Sequence, residues 1–140
     1  MIVVMDSNAA IEIVLKREKG KYYKDLIESS EKTVSSEFFR IEVANVIRKY
    51  VHGKYIKKTE GNRILELAEN LIDEFVLIKE NRLEALNEAI RLNYSAYDML
   101  YLTIARNMGA ILVTLDHGLN QIAKKEGIDI VEIPKAARSE

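Results

Sequence analysis

Two short apolar runs, each followed by an aspartate, constrain the fold of this 140-residue chain more than any other feature. The first run is residues 2–5 before Asp6, and the second lies in "AILVTLD", residues 110–116. Continuous apolar runs are typical of strands buried on both faces, as in parallel sheets. In such sheets, sites lie beyond the carboxyl ends of the strands. Asp6 and Asp116 are therefore predicted to lie at the same edge of one sheet.

Helical patterns alternate with strand patterns along the rest of the chain. Predicted strands cover residues 2–5, 32–36, 74–79, 110–116 and 128–133. Predicted helices cover residues 7–17, 21–29, 37–51, 57–72, 82–92 and 95–109, and a last one ends near Gly127. Ser7 is a plausible N-cap and Gly109 a natural C-cap. The alternation predicts one α/β domain over residues 1–140: a three-layer α/β/α sandwich with a mostly parallel, roughly five-stranded sheet.

Composition excludes several kinds of site and location. The chain has no cysteine, which removes disulfides, thiolate metal sites and cysteine nucleophiles. No apolar run approaches the roughly 20 residues of a membrane helix, and no signal peptide is evident at the start. We therefore expect a cytoplasmic protein with no membrane contact. The formal net charge is −1, so any contact with nucleic acid requires a local basic surface.

Glu42 and Asp98 are acids on predicted helices that carry apolar stripes. Glu42 lies at the edge of its stripe, and taken alone it reads as a boundary glutamate whose carboxylate reaches water. Asp98 lies amid the apolar face that includes Tyr101. Ser95-x-x-Asp98 also matches a capping box, which is compatible with an acid that faces a cleft. No Lys or Arg lies one turn from Asp98, so an ionised carboxylate there needs another partner, and a metal is a candidate.

If the four acids Asp6, Glu42, Asp98 and Asp116 meet, their charges require compensation. Two unit charges about 4 Å apart repel by roughly 4 kcal/mol at an effective dielectric near 20. Oxygen-only ligation suits Mg²⁺ or Mn²⁺, whereas zinc prefers histidine or cysteine ligands. Ser7 and Thr114, next to the strand-end acids, could hydrogen-bond the ligands or a bound water.

Three stretches together resemble the PIN-domain family, and most of all the VapC-type toxins of prokaryotic toxin–antitoxin pairs. They are "VVMDSNAAI", "EFFRIEVANVIRKY" and "YSAYDMLYLTIARNMGAILVTLDHGL", in order across the whole chain. The third is the most specific, with an Asp-bearing helix, a Gly-Ala turn and an apolar strand that ends in Thr-x-Asp.

The resemblance implies a ribonuclease that depends on Mg²⁺ or Mn²⁺. Its catalytic and metal-binding acids fall on Asp6, Glu42, Asp98 and Asp116, and its supporting polar positions on Ser7, Asn45 and Thr114. It further implies a homodimer and a VapB-type antitoxin that is seated by the helical hairpin of residues 37–72. The match is looser around "DHGLN", where Gly118 is an unusual residue early in a helix.

The segment "RKYVHGKYIKK" is the main candidate for RNA contact, because Tyr50 and Tyr55 lie between basic residues. The alternative interpretation is a solvated helix end and turn. The candidate phosphate contacts are Arg48, Lys49, Lys54, Lys57 and Lys58.

Other functions remain open or fail on specific residues. A PIN-domain nuclease of RNA processing and a non-catalytic PIN-like module that binds RNA or protein are the alternatives, and the presence of all four acids argues against the second. A phosphoacceptor domain is a poor match, because this chain lacks the paired acids after the first strand and the acceptor aspartate that such a domain requires. A dinucleotide-binding domain fails because no glycine follows the first strand.

Overall fold

The computed structural model describes residues 1–133 and centres on a parallel sheet of four strands in the order β3-β2-β1-β4. The strands are β1 (Ile2–Met5), β2 (Lys32–Ser36), β3 (Glu74–Val76) and β4 (Ile111–Val113). The helices are α1 (Ser7–Val14), α2 (Gly20–Ser29), α3 (Phe38–His52), α4 (Lys58–Asn70), α5 (Ile78–Leu92), α6 (Ala96–Met108) and α7 (His117–Lys125). Residues 134–140 of the predicted domain lie outside the described residues.

The helices cover both faces of the sheet. The crossovers β1-α1-α2-β2 and β2-α3-α4-β3 advance across the sheet in one direction, and β3-α5-α6-β4 returns past β1 to the other edge. Because parallel crossovers are right-handed, opposite directions place their helices on opposite faces. Accordingly α1 packs against α2, α3 and α4, whereas α6 packs against α5 and α7. The predicted three-layer α/β/α architecture is confirmed.

The two apolar runs become the neighbouring strands β1 and β4. In the register of β1 and β4, Met5 lies beside Val113, so the chain leaves both strands at the same edge of the sheet. The backbone amide of Asp6 still donates to the carbonyl of Val113 at 3.2 Å. Val3, Val4, Met5, Leu112 and Val113 are all fully buried, which explains why neither run alternates with polar residues.

The prediction of a fifth strand over residues 128–133 was wrong. In the described segment 128–133 only Ile130 forms a parallel bridge, to Leu112, and the backbone carbonyl of Asp129 accepts the Leu112 amide at 2.8 Å. The segment lies along the outer edge of β4 and so has one neighbour on which to form a ladder. An apolar pattern reports burial and does not reveal how many ladder bonds an edge segment makes.

The third strand also ends earlier than predicted, and α5 begins earlier. The run over residues 74–79 stops pairing at Val76, and Ile78 already belongs to α5, which was predicted to begin at residue 82. Leu77 and Ile78 are 52% and 39% exposed, so the end of this apolar run does not enter the core. Among the described residues, no helix is both long enough and apolar enough to cross a membrane.

Candidate active site

Asp6 follows β1 directly and caps α1. One carboxylate oxygen accepts the Ala9 amide at 3.0 Å, and the other accepts the hydroxyl of Thr114, which follows β4. The expectation that Ser7 would be the N-cap was therefore wrong, because Asp6 holds that position and Ser7 is the first helical residue. Asp6 is only 5% exposed, so its carboxylate lies at the bottom of the site and not on its rim.

Thr114 joins the two strand-end acids. Its hydroxyl donates to Asp6, and the same oxygen accepts the backbone amide of Asp116 at 3.0 Å. Asp116 in turn caps α7, accepting the Leu119 amide at 3.1 Å. Thr114 is 3% exposed. Asp6 and Asp116 therefore lie at the same edge of the sheet, as predicted, and one buried threonine links them.

Tyr94 and Gly118 shape the surroundings of Asp116. The Tyr94 hydroxyl donates to Asp116 at 3.1 Å. A methyl group added at Gly118 would lie 2.6 Å from that hydroxyl oxygen, closer than atoms can approach without movement. The glycine that is unusual in the sequence therefore leaves room for Tyr94 to reach Asp116.

Glu42 is anchored from two sides. Its carboxylate oxygen Oε1 accepts the Ser7 hydroxyl from α1 at 2.8 Å and the Tyr101 hydroxyl from α6 at 2.7 Å. Ser7 and Tyr101 are both fully buried. A boundary glutamate that reaches water would leave these hydroxyls without an acceptor, so Glu42 points inward.

Asp98 lies in the first turn of α6 and is half-buried. The Ser95 side chain caps α6 by accepting the Tyr97 amide at 3.1 Å. The reciprocal half of the capping box is missing, because within residues 1–133 the Asp98 carboxylate makes no hydrogen bond. Capping alone does not account for an acid at this position.

The acids influence one another electrostatically. Burial raises the pKa of Asp6 to about 7; hydrogen bonds from Thr114 and Ala9 oppose this shift, and the charges of Glu42 and Asp98 add to it. Burial likewise raises the pKa of Asp98 to about 6, with contributions from the charges of Asp116 and Glu42. Each of the four acids thus takes part in at least one of these interactions. The group carries excess negative charge that a cation would relieve.

The donor chemistry fits a hard divalent cation. The site offers carboxylate and hydroxyl oxygens, and both of its strand-end acids are held in fixed orientations. No group of three or more acidic or histidine side chains in residues 1–133 is arranged to hold a metal ion by itself. Mg²⁺ commonly keeps several waters and uses only one or two carboxylates, so the arrangement suits this ion better than a metal that needs a closed protein cage.

Two other sets of predicted residues make no hydrogen bond to the acids within residues 1–133. Asn45 is exposed and accepts a hydrogen bond from Arg48 at 3.1 Å, and within the described chain it makes none to the four acids. The basic residues all lie exposed between the end of α3 and the start of α4; they are Arg48, Lys49, Lys54, Lys57 and Lys58. From Glu42 to His52, α3 extends about 15 Å, so this surface lies at a distance from the acids.

Tyr94 and Tyr101 were not among the predicted site residues. Both donate a hydroxyl to one of the four acids. A signal for Tyr101 was present in the sequence, because a tyrosine within a continuously buried helical face needs a partner for its hydroxyl. No comparable signal marks Tyr94, whose role depends on the space beside Gly118.

Comparison with known proteins identifies both a family and a fold. The PIN domain family model matches residues 3–125. The crystal structure of PAE2754 from Pyrobaculum aerophilum is similar with a TM-score of 0.72 and 21% identity, over 94% of this chain and 90% of that one. The crystal structure of VapBC2 from Rickettsia felis bound to a promoter DNA fragment is similar with a TM-score of 0.66 and 15% identity, over 94% of this chain and 98% of that one. At these identities the two structures support the fold. Among curated protein sequences, none matches significantly.

Proposed function

Because the chain belongs to the PIN domain family, we propose that it is a metal-dependent endoribonuclease which hydrolyses RNA phosphodiester bonds, and that it serves as the toxin of a toxin–antitoxin pair. The observation that carries this proposal is the Thr114 junction, which brings Asp6 and Asp116 together from neighbouring strands. Glu42 and Asp98 face the same junction closely enough for their charges to raise the pKa of Asp6.

Each acid has a distinct part in the proposed reaction. Asp6 and Asp116 would hold Mg²⁺ or Mn²⁺, with Asp98 as a direct or water-bridged third partner. When bound, such an ion lowers the pKa of a coordinated water and neutralises charge on the phosphate. Glu42, fixed by Ser7 and Tyr101, is placed to orient the attacking water or to bind a second ion. The proposal requires no side-chain nucleophile.

The test is cleavage of single-stranded RNA oligonucleotides by the purified protein. We expect cleavage with Mg²⁺ or Mn²⁺, none with excess chelator, and none by Asp6→Asn under either condition. Asp25→Asn, at an exposed position on α2, is the matched control and should cleave like the wild type. Cleavage that survives the chelator, or that survives Asp6→Asn, would contradict the metal-dependent mechanism.

The biological role needs a separate experiment. An apolar groove between α3 and α4, lined by Ile47, Val51 and Leu65, supports the proposal that this hairpin seats a VapB-type antitoxin. We expect expression of the chain in the cytoplasm to arrest growth, and co-expression of a small DNA-binding protein encoded beside it to restore growth. A processing nuclease would leave growth unaffected, and a non-catalytic module would in addition cleave no RNA.

We also propose that the chain forms a homodimer. The supporting observation is an apolar stripe on α5, where Leu83, Leu86 and Ile90 are 64%, 50% and 71% exposed. Stripes of this kind on a folded protein mark interaction surfaces. Sedimentation at micromolar concentration should show a dimer for the wild type and a monomer for Leu86→Glu. A monomeric wild type would contradict this part of the proposal.

A further inference from the structure

An exposed aromatic ring lies beside the acids and has no role in the reaction described above. Tyr97 immediately precedes Asp98, and its side chain is 61% exposed. Its ring is stacked on that of Phe38, with centroids 4.8 Å apart and planes 15° from parallel. One face of the ring is therefore covered by Phe38, and the other is open to solvent.

The stacked pair is continuous with the active site. Phe38 and Glu42 lie one turn apart on α3, and Tyr97 and Tyr101 lie one turn apart on α6. The pair of Glu42 and Tyr101 and the pair of Phe38 and Tyr97 thus form two successive contacts across the same crevice. One helical turn is about 5.4 Å, so the ring lies within reach of a nucleotide next to the acids.

The Tyr97 ring is fixed, although it is exposed. Phe38 holds it by stacking, and the Ser95 side chain fixes the Tyr97 backbone by accepting its amide at 3.1 Å. Within residues 1–133 the Tyr97 hydroxyl makes no hydrogen bond, so neither the core nor a polar partner accounts for the position of this side chain. A flat ring that is already ordered loses little conformational freedom when a second flat group stacks on it.

We propose that the open face of Tyr97 is a stacking platform for an unpaired base of the RNA that flanks the cleaved phosphodiester. The proposal rests on the proposed ribonuclease function and adds a physical reason for the enzyme to prefer single-stranded RNA to duplex RNA. In a duplex, the faces of each base are covered by its neighbours, whereas an unpaired base can turn onto the ring. Aromatic platforms are a common means of binding single strands, and they tolerate all four bases.

The test compares Tyr97→Leu with Tyr97→Phe on a short RNA that the wild type cleaves at one position. Loss of one stacked base corresponds to about ten- to hundredfold weaker binding. We expect Tyr97→Leu to raise KM by this factor with kcat within about twofold of the wild type. Tyr97→Phe, which keeps the ring and loses the hydroxyl, should behave like the wild type. Tyr22→Leu, a change at a half-buried tyrosine of α2, is the control for loss of a tyrosine elsewhere in the chain.

Abasic substitutions in the RNA identify the partner of the ring. An abasic nucleotide at one flanking position should raise KM for the wild type as much as Tyr97→Leu does. The same RNA should show no further loss with Tyr97→Leu, because the two changes remove one shared contact. Additive losses at every position, or a normal KM for Tyr97→Leu, would overturn the platform and would leave a protein partner as the reason for the exposed ring.

A binding measurement keeps this test separate from that of the proposed function. RNA that carries 2-aminopurine at the flanking position should lose fluorescence on binding the wild type in excess chelator, where the RNA stays intact, and markedly less on binding Tyr97→Leu of unchanged melting temperature. A wild-type protein that cleaves no RNA refutes the ribonuclease function, whereas equal quenching by both proteins refutes the platform alone.

Discussion

The carboxylate of Glu42 accepts the Tyr101 hydroxyl at 2.7 Å, which joins α3 to α6 at the carboxyl edge of the sheet. Burial raises the pKa of Tyr101 above its ordinary value, and the charge of Glu42 raises it further. The phenol is therefore a permanent hydrogen-bond donor at any physiological pH. With Ser7 as the second donor, Glu42 has one orientation before any substrate arrives.

Replacement of Glu42 by glutamine should lower the rate of single-stranded RNA cleavage by on the order of 10² or more, the scale of losing one positioned group that acts on transition-state charge. The rate is measured under single-turnover conditions. Glu37→Gln is the control, because Glu37 faces Arg40 at 3.2 Å and lies one turn before the site. Near-normal cleavage by a folded Glu42→Gln would reduce the site to three acids.

Replacement of Asp98 by asparagine should separate catalysis from stability. The change removes a charge that burial and neighbouring acids disfavour, so thermal stability without metal should be unchanged or higher. RNA cleavage should be lost. If Asp98 served only the helix end, cleavage would persist and stability would fall by about 0.5–2 kcal/mol. Activity and melting temperature measured on the same preparation decide between these outcomes.

Divalent cations should raise the melting temperature. Mg²⁺ or Mn²⁺ relieves repulsion among the clustered acids in the folded chain only, and a ligand that binds only the folded state stabilises it. Differential scanning fluorimetry across a metal titration measures the shift. Asp6→Asn should abolish most of it, whereas Asp25→Asn should retain it. An equal shift in wild type and Asp6→Asn would mean that the cation binds elsewhere.

Stability without metal should depend on pH through Asp6. Its pKa is about 7 in the folded chain against an ordinary value of 3.8, so ionisation disfavours the folded state. The contribution of Asp6 to stability is therefore complete below about pH 3.8 and declines as pH rises through 7. Asp98 acts in the same direction up to about pH 6.

Comparison with Asp6→Asn isolates this effect. The stability contribution of Glu88 depends on pH in the opposite direction, because hydrogen bonds from Arg91 and Arg106 lower the pKa of Glu88 to about 2. This contribution is the same in both proteins and therefore cancels in the comparison. In the presence of chelator, urea denaturation gives the free energy of unfolding of both proteins. The value for Asp6→Asn should increase relative to that of the wild type as pH rises from 4.5 to 7.5. A difference that stays constant over this range would show that Asp6 is not destabilised by its ionisation.

Removal of the Thr114 hydroxyl should affect both strand-end acids at once. Thr114→Val has a similar shape but leaves Asp6 without one donor and the Asp116 amide without its acceptor. A buried group that loses its partner costs about 1–3 kcal/mol. We expect that loss in chemical denaturation, together with weaker stabilisation by Mg²⁺. Thr114→Ser, which keeps the hydroxyl, should restore the response to Mg²⁺.

The parts of the fold that depend on buried apolar runs were predictable. Residues 2–5 match β1, because a continuous apolar run differs clearly in pattern from the helices around it. Residues 32–36 match β2 although Val34 is their one apolar residue. The edges of the sheet were not predictable in the same way. At residues 74–79 and 128–133 the apolar pattern continued where the ladder bonds stopped, since one-sided pairing leaves the backbone free to turn.

The candidate site shows a similar division. The placement of Asp6 and Asp116 follows from strand polarity alone, and the two are observed at one sheet edge. The partners of Glu42 could not be derived, because Ser7 and Tyr101 lie 35 and 59 positions away in the chain. Asn45, three positions after Glu42, is exposed and accepts a hydrogen bond from Arg48, a partner that the resemblance does not imply.

The space beside Gly118 makes two distant positions interdependent. A side chain at position 118 would displace the Tyr94 hydroxyl, and with it the only phenol that holds Asp116 among the described residues. Alanine usually favours a helix over glycine by up to about 1 kcal/mol, so selection for stability alone would replace this glycine. In a library that varies both positions, larger residues at 118 should survive selection for activity only with a shorter residue at 94. The site therefore restricts which pairs of mutations its own evolution can accept.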